Sequence, residues 1–300
     1  MKALDNLTKA KEFLEMCGIE DADREAELII SHCLGINRII LYKDNPDIPE
    51  EALLKINEIL KRRVKREPLQ YILGYTEFYG LKIKVGPGVL IPRPETELLV
   101  EEAIKKITNY KLQVASKNSS FILHPSSFQI FDLCTGSGCL ALALAREFPD
   151  AEVYGTDTLE IAIHYAEENA GTNGIKNVTF LRGSLFEPIK KLFTSHISHF
   201  TADLIISNPP YIKREDIKHL QPEIKDWEPV EALDGGEEGF DYYRMIIPEA
   251  RNYLKDHGYL MFEIGINQVE AIKKMAVDAG FQDISLIKDY AGIERIMILR

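Results

Sequence analysis

The feature that most constrains the fold is a glycine loop set between an apolar segment and a helical one. The pattern of Ile130–Cys134 predicts a buried strand, Thr135–Gly138 contains two glycines, and apolar residues at helical spacing begin at Leu140. A second strand pattern, Glu152–Thr156, ends at Asp157. Strand, glycine turn, helix and strand in this order are typical of a parallel, helix-covered sheet that binds a nucleoside at its first turn.

The same alternation continues to the end of the chain. Further strand patterns occupy residues 178–181, 204–207, 259–264, 284–287 and 296–299. Helical segments separate most of these strands, which is the pattern of a doubly wound sheet. The sequence therefore predicts an α/β, Rossmann-like fold with a mostly parallel, seven-stranded sheet. The Ser- and Asn-rich segment 111–128 shows weak periodicity and is expected to be a surface insertion.

The first part of the chain has a different pattern. Residues 1–75 show helical periodicity only, with glycines closing the first two helices. From residue 76 to 91 apolar and polar side chains alternate, which predicts a β-hairpin. We therefore expect a small helical domain at 1–75, a hairpin linker at 76–91 and the sheet domain at 92–300.

A basic run, Lys61–Arg66, ends the last long helix of the helical domain. One interpretation is a solvated helix end, because cations near a helix C-terminus interact favourably with the helix dipole. The other interpretation is a contact with RNA or with an acidic protein partner. The sequence alone leaves both interpretations open.

The glycine loop predicts a nucleoside cofactor. Gly136 and Gly138 let backbone N–H groups approach a ligand, and Asp157 stands where an acid accepts hydrogen bonds from ribose hydroxyls. The run from Gly136 to Ala141 also satisfies the dinucleotide pattern GxGxxA, so a nicotinamide-dependent oxidoreductase has to be considered. Asp132, inside the first strand, favours S-adenosylmethionine instead, whose loop has an acid near the sulfonium side.

A rigid polar rim, Asn208-Pro209-Pro210-Tyr211, follows the fourth strand of the sheet. Ligands of open α/β sheets bind beyond the carboxyl ends of the strands, so the rim is expected to face the site. Its prolines remove backbone donors, and Asn208 adds a side-chain acceptor. The rim therefore suits an amide or amine that donates N–H groups. An ordinary turn is the alternative for these four residues taken alone.

A second polar feature stands at the start of the helix that opens the sheet domain. Pro94 is followed by three hydrogen-bonding residues, Glu95, Thr96 and Glu97. Proline in the first turn of a helix, with polar side chains beside it, fits an N-terminus directed at a polar group. A plain capped helix start is the alternative.

Composition limits the other classes of function. The net charge of −11 argues against a large, uniform phosphate-binding surface. The cysteines Cys17, Cys33, Cys134 and Cys139 form no CxxC pair and have no histidines at ligand spacing, so we expect reduced thiols and no metal site. Neither a signal peptide nor a bilayer-spanning segment is visible, which predicts a cytoplasmic protein without a membrane partner.

Motifs distributed along the chain carry a family resemblance. They are Arg66–Gly74, Glu77-Phe78, Leu90–Glu97, Asp132–Gly138, Asn208–Tyr211, Glu228-Pro229, Ala232-Leu233, Gly235-Gly236, Gly239, Tyr243-Arg244, Glu263–Gly265 and Asp289–Arg295. With these motifs the chain resembles the release-factor glutamine methyltransferases, the HemK/PrmC family, over nearly its whole length apart from 111–128 and 193–200. Asn-Pro-Pro-Tyr alone also occurs in DNA and RNA amino-methyltransferases, but its combination with Ile91–Glu97 is specific to this family.

The resemblance implies methyl transfer from S-adenosylmethionine to the N5 amide nitrogen of the glutamine in the Gly-Gly-Gln motif of class I peptide chain release factors. It implies that the helical domain recognises the protein substrate and that nucleic acid is not required. The implied cofactor contacts are Cys134, Thr135, Gly136, Ser137, Gly138, Asp157, Ser184, Leu185 and Asn208. The implied substrate contacts are Asn208, Pro209, Pro210 and Tyr211, with Asn208, Pro209 and Tyr211 as catalytic residues. Ser184 is a departure, since related sequences often have an acid there, near the adenine amino group.

Three competing interpretations use the same features differently. A nucleic-acid amino-methyltransferase would hold adenine or cytosine against the rim, although the acidic charge and the lack of a separate target-recognition domain count against it. An oxidoreductase would use only the glycine loop. A non-catalytic binding module would retain the fold without turnover.

Overall fold

The computed structural model describes residues 2–117, 128–193 and 201–300. The helices are α1 (Ala3–Met16), α2 (Ala22–Leu34), α3 (Arg38–Asp44), α4 (Glu50–Arg63), α5 (Leu69–Leu73), α6 (Pro94–Lys117), α7 (Cys139–Glu147), α8 (Glu160–Asn173), α9 (Glu187–Phe193), α10 (Pro222–Lys225), α11 (Asp241–Tyr253) and α12 (Val269–Asp278). The strands are β1 (Tyr75–Phe78), β2 (Leu81–Lys84), β3 (Phe128–Leu133), β4 (Ala151–Asp157), β5 (Val178–Arg182), β6 (Ala202–Ser207), β7 (Leu254–Glu263), β8 (Ile284–Lys288) and β9 (Glu294–Leu299). Two compact units result, one of Met1–Gly74 with Gln221–Trp227 and one of Tyr75–Leu220 with Glu228–Arg300.

The helical unit has its own apolar core. Residues at helical spacing on α1, α2 and α4, including Leu14, Ile29 and Ile56, are almost fully buried against one another. Gly35 ends α2 in the left-handed conformation, with φ of 65°, as glycine does at a helix C-terminus. Asn37 begins α3, and its side chain accepts a hydrogen bond from Ile40 N at 2.9 Å. The predicted all-helical character of this part is confirmed.

Two arginines of the basic run at the end of α4 form ion pairs that neither interpretation predicted. Arg63 is buried, and its guanidinium forms ion pairs with Glu25 at 2.7 Å and with Glu223 at 2.9 Å. Arg66 contacts Glu223 as well, at 2.8 Å. These arginines are therefore internal groups of the helical unit, and they bind the segment Gln221–Trp227 to it. Lys61 and Lys65 of the run are exposed to solvent, and the side chain of Arg62 is 43% exposed.

The other unit is built on the predicted seven-stranded sheet, with strand order β5-β4-β3-β6-β7-β9-β8. Strands β3 to β7 run parallel to one another, and β9 is antiparallel to both β7 and β8. Phe131, Ile205 and Phe262 in the central strands are fully buried, since helices cover both faces of such a sheet. The α/β, Rossmann-like fold class is confirmed. The hairpin is confirmed too, as β1 pairs with β2 antiparallel.

The predicted insertion at 111–128 is described only at its ends. Residues 111–117 continue α6, and Phe128 begins β3, so those positions are regular structure instead of insertion. Residues 118–127 and 194–200 lie outside the described residues. Among the helices of the described ranges, none combines the length and apolarity that crossing a bilayer requires.

Candidate functional site

A cavity opens at the carboxyl ends of β3, β4, β5 and β6. This is the edge at which an open parallel sheet binds its ligands. The predicted residues that line it are Cys134, Thr135, Gly136, Ser137, Asp157, Ser184, Leu185, Asn208 and Pro210. Gly138, Pro209 and Tyr211 are described but are not among its lining residues. The cavity is also lined by residues outside the predicted cofactor and substrate contacts, namely Gly88, Val89, Leu90, Pro92, Thr96, Cys139, Leu140, Thr156, Thr158, Leu159, Ala162, Gly183, Pro229, Glu231, Ala232 and Tyr242.

The glycine loop after β3 needs left-handed backbone at three positions. The angle φ is 58° at Cys134, 53° at Gly136 and 81° at Gly138. This conformation is costly for a non-glycine residue, so the surrounding structure holds Cys134 in place. A Cβ at Gly138 would lie 3.0 Å from the Cβ of Ala166 and from the ring of Phe180. Gly138 thus permits close packing of α8 and β5 against the loop and does not reach the cavity.

Asp157 ends β4 and fastens the glycine loop. Its Oδ2 accepts a hydrogen bond from Gly136 N at 2.9 Å, and its Oδ1 accepts one from Leu159 N at 3.0 Å. Burial raises the pKa of this carboxyl, and the backbone hydrogen bonds partly offset that effect. Because a carboxylate offers about four lone-pair sites, Asp157 can hold the loop and still accept hydrogen bonds from two ligand hydroxyls.

Asp132 has a structural place beneath the loop. Its Oδ2 accepts hydrogen bonds from the Thr135 hydroxyl at 2.5 Å and from Ala141 N at 3.1 Å, which ties the loop to the first turn of α7. The side chain is fully buried and is not among the residues that line the cavity. Burial raises the pKa of its carboxyl to about 7.

The turn after β5 forms the third part of the cavity floor. Leu185 is buried with φ of 47°, another left-handed non-glycine residue at the site. Gly183 N donates to the carbonyl of Asp157 at 2.8 Å, and Glu187 N donates to the carbonyl of Ser184 at 2.9 Å. Ser184 therefore lines the cavity on a segment that is fixed at both ends.

The residues of the rim after β6 differ in whether they line the cavity. Asn208 and Pro210 line the cavity, whereas Pro209 is buried beside it. The Tyr211 hydroxyl donates to Glu263 Oε1 at 2.9 Å, so this tyrosine is engaged with a carboxylate and is not among the lining residues of the cavity. Burial, followed by the charge of Glu263, raises the pKa of Tyr211 far above its usual range.

A buried network joins the rim to two residues outside the predicted set. Glu263, the last residue of β7, accepts a hydrogen bond at Oε2 from the Thr96 hydroxyl at 2.7 Å. Thr96 Oγ1 in turn lies 3.2 Å from Asn208 Nδ2, which donates to it. Burial raises the pKa of Glu263, and the hydrogen bonds from Thr96 and Tyr211 oppose that effect. The sequence signal that could have indicated Glu263 is an acid at the end of an apolar strand.

The backbone of the rim is held from the other side. Gln268 Nε2 donates to the carbonyls of Tyr211 at 2.9 Å and Gly239 at 3.0 Å. Ile212 N donates to the carbonyl of Leu233 at 3.0 Å. A Cβ at Gly239 would lie 2.6 Å from the Tyr211 carbonyl oxygen, which excludes side chains there. Part of the loop after Glu228 is therefore the support of the rim, a role that the sequence did not reveal.

The opposite wall of the cavity comes from the hairpin exit and the loop after Glu228. Glu228 Oε1 pairs with Arg93 Nη2 at 2.5 Å, and its Oε2 accepts a hydrogen bond from Ile91 N at 3.2 Å. Burial raises the pKa of Glu228, and Arg93 opposes it. This ion pair joins the segment that contains Pro92 to the segment that contains Pro229, and both prolines line the cavity. The hairpin segment, predicted as a linker, thus contributes residues to the lining of the cavity.

Comparison with known families assigns both parts of the chain. Residues 5–74 match the PrmC N-terminal domain, and residues 124–286 match a methyltransferase domain. Among solved structures, the hMettl16 catalytic domain in complex with MAT2A 3'UTR hairpin 6 is similar with a TM-score of 0.54 at 13% identity, covering 77% of this chain and 80% of that one. At such low identity the likeness shows the fold alone.

Full-length relatives are much more similar. The release factor glutamine methyltransferase of Thermodesulfovibrio yellowstonii is 45% identical over 301 residues, covering 100% of this chain and 98% of the relative. The protein of that name from Geobacter sulfurreducens is 42% identical, covering 95% of this chain and 92% of its own length. The chain therefore belongs to the release factor glutamine methyltransferase family.

Proposed function

We propose that this protein methylates the N5 side-chain amide nitrogen of the glutamine in the Gly-Gly-Gln motif of class I peptide chain release factors, using S-adenosylmethionine. The observation that carries the proposal is the Asn208 amide at the cavity, with its Nδ2 bonded to Thr96 and its Oδ1 left to accept. An acceptor fixed in this way suits a substrate that offers N–H groups. The names of the full-length relatives support a release factor as that substrate.

The cavity fits the proposed cofactor. Asp157 retains lone pairs for two ribose hydroxyls, and Ser184 offers a polar contact to a purine. Leu140, Ala162 and Leu185 provide an apolar lining for an aromatic base. Bound S-adenosylmethionine would supply an electrophilic methyl group on its sulfonium. Gly136, Ser137 and Cys134 at the loop would hold the remaining polar part of the molecule.

The proposed role of the rim follows from the weakness of an amide nitrogen as a nucleophile. Asn208 Oδ1 and the backbone carbonyl of Pro209 would accept the two N–H groups of the substrate amide. These dipoles direct the nitrogen lone pair and stabilise the positive charge that develops on nitrogen. Because both acceptors sit on a rim held by Glu263 and Gln268, they need no rearrangement during the reaction.

We also propose that the helical domain, expected at 1–75, recognises the release factor outside its glutamine. In the relatives' family this part of the chain is a domain of its own, which supports a separate task for it. A partner of this kind places the reaction in the cytoplasm, where release factors act on ribosomes.

Incubation with methyl-labelled S-adenosylmethionine and a purified class I release factor tests the proposal. We expect label on the factor, and peptide mass spectrometry should locate one methyl group on the side chain of the motif glutamine. A factor whose motif glutamine is replaced by glutamate is the matched control and should remain unlabelled. Label on DNA or RNA instead, with none on the release factor, would establish the nucleic-acid amino-methyltransferase and end this proposal.

A further inference from the structure

We propose that Glu263 is a positioning residue that decides which end of the Asn208 side-chain amide faces the cavity, acting through the hydroxyl of Thr96. The inference rests on the proposed function, because the orientation matters for catalysis only if Asn208 accepts an N–H group of the substrate. It goes further by naming what keeps that acceptor in place.

The orientation follows from counting protons. An ionised carboxylate only accepts hydrogen bonds, so the single proton of the Thr96 hydroxyl is used in the 2.7 Å bond to Glu263 Oε2. The Thr96 oxygen can then only accept from Asn208, 3.2 Å away. Asn208 must present its NH₂ group to Thr96, and its Oδ1 is turned to the other side. A carboxylate that never touches the substrate thus fixes the substrate's acceptor.

The same carboxylate secures the far end of the rim. Glu263 Oε1 accepts the hydrogen bond from the Tyr211 hydroxyl at 2.9 Å, so both oxygens are occupied by residues that border Asn208. The backbone carbonyl of Glu263 accepts a further bond from the Tyr243 hydroxyl at 2.8 Å, which anchors the end of β7. The network is therefore a closed arrangement between α6, the rim, β7 and α11.

Burial makes the arrangement specific. Glu263 is 3% exposed and Thr96 is 2% exposed, so bulk water cannot readily replace a lost partner. Leaving a buried acceptor without a donor costs the desolvation of that group. Both hydroxyls are consequently held as donors to Glu263 as long as its carboxyl group is ionised.

A hydrogen-bond donor in place of the carboxylate would reverse the relay, that is, the direction of the hydrogen bonds that run from Asn208 through Thr96 to residue 263. If the group at position 263 donates to Thr96, the Thr96 proton is free to donate to Asn208 Oδ1, and the amide turns its NH₂ group toward the cavity. A donor would then meet the N–H groups of the substrate. Protonation of Glu263 on Oε2 has this effect, and so does the isosteric change Glu263→Gln with its Nε2 toward Thr96.

The groups around Glu263 bear on its protonation from several elements. Arg295 on β9 favours the ionised form, and Glu95 on α6 disfavours it. The hydroxyls of Thr96 and Tyr211 favour the charged form by donating to it. We therefore expect kcat to fall on the acid side as Glu263 takes up a proton.

The test compares variants in the release-factor assay with measured S-adenosylmethionine affinity and urea unfolding. Glu263→Gln should lower kcat by about 100-fold, the scale of losing one preorganised polar contact, with the Kd of S-adenosylmethionine within about threefold of the wild-type value. The kcat of this variant should no longer fall at acid pH. A purely structural defect would lower kcat at every pH and leave the acid-side fall in place. Asp203→Asn is the matched control, since Asp203 is a carboxylate near the start of β6 that bonds Gln129 N and Lys255.

A pair of substitutions at Thr96 covers the case in which Glu263→Gln does not fold. Thr96→Ser keeps the hydroxyl and should retain at least about a third of the wild-type kcat. Thr96→Val keeps the shape but removes the relay, and it should lose kcat about as far as Glu263→Gln. A packing role for Thr96 gives the opposite order, because valine preserves the volume better than serine.

The outcomes separate the two proposals. Wild-type protein that labels no release factor overturns the proposed function and this role with it. Active wild-type protein together with a Glu263→Gln variant whose kcat is within threefold overturns only the positioning role. A Thr96→Val variant as active as Thr96→Ser does the same, even where Glu263→Gln is unfolded.

Discussion

The helical unit and the sheet unit bury carboxylates in opposite ways. In the helical unit, Arg63 stands between Glu25 and Glu223 and pairs with both. At the carboxyl edge of the sheet, Asp132 and Glu263 receive their hydrogen bonds from neutral hydroxyls and backbone N–H groups. The first arrangement cancels charge with charge, whereas the second leaves a negative charge held by dipoles.

The difference separates stability from function. A guanidinium between two carboxylates compensates their desolvation, and removing it leaves charges buried alone. Neutral donors compensate less, so the pKa of Asp132 rises to about 7 and that of Glu263 also rises, in both cases chiefly through burial. Such a carboxylate also orients the hydrogen-bond donors around it. We therefore expect changes in the helical cluster to affect unfolding, and changes at the sheet edge to affect ligand binding and rate.

The largest expected effect is on stability. Arg63→Met leaves Glu25 without its cation, while Glu223 keeps Arg66, and should lower the free energy of unfolding by about 3 kcal/mol. The Kd of S-adenosylmethionine should stay unchanged, because the cofactor cavity lies in the other unit. Urea unfolding and calorimetric titration measure the two quantities. A variant that also replaces Glu25 with leucine, and keeps Glu223 as the partner of Arg66, should regain most of the loss, and failure to do so would argue against charge compensation.

The next effect is on rate at the rim. Asn208→Ala removes the proposed side-chain acceptor and should lower kcat at least about 100-fold, because such a preorganised contact acts on the developing charge. Single-turnover labelling of the release factor measures the loss. Near-normal turnover in a folded variant would exclude the amide-accepting role of Asn208.

A smaller effect is expected on cofactor affinity. Asp157→Asn removes an ionised acceptor that also fastens Gly136, and it should raise the Kd of S-adenosylmethionine about 10- to 100-fold. Calorimetric titration measures it. The exposed Asp150, just before β4, gives the matched control Asp150→Asn, which should bind as the wild type does. Equal affinities for both variants would remove Asp157 from the cofactor site.

The last expected effect is spread over several pH units. The folded pKa of Asp132 is raised from 3.8 to about 7, so the folded chain holds a proton that the unfolded chain has released between these values. The contribution of Asp132 to the free energy of unfolding is therefore full below about pH 4, and it falls by up to about 1.4 kcal/mol per pH unit as pH rises toward 7. Urea titrations at several pH values should show this slope in the wild type and lose it in Asp132→Asn. An unchanged slope would place the proton elsewhere.

The sequence predicted those parts of the site that depend on local signals. A strand followed by glycines and a strand ending in an acid located Gly136 and Asp157, and the proline-rich rim located Asn208. Each of these signals lies within a few residues of the chain, so the carboxyl-edge rule was enough to bring them together.

The parts that were missed depend on packing between distant elements. Thr96 was noticed as polar and Glu263 only as part of a motif, but their 2.7 Å contact joins residues 167 positions apart. The contact of Tyr211 with Glu263 was not predicted, because no local pattern shows a buried carboxylate beneath this tyrosine. The ion pairs of the basic run were missed for the same reason, since Glu223 comes from far along the chain.

That distance has a consequence for the order in which the chain can fold. Arg66 and Glu223 are 157 positions apart, with the first four strands of the large sheet between them. During synthesis the N-terminal part emerges first, so the core of α1, α2 and α4 can close while Arg63 has only Glu25 as its partner. Glu223 follows only after β6 has been made. The helical unit is thus begun first and completed late, and the ribosome must deliver most of the second unit before the first is finished.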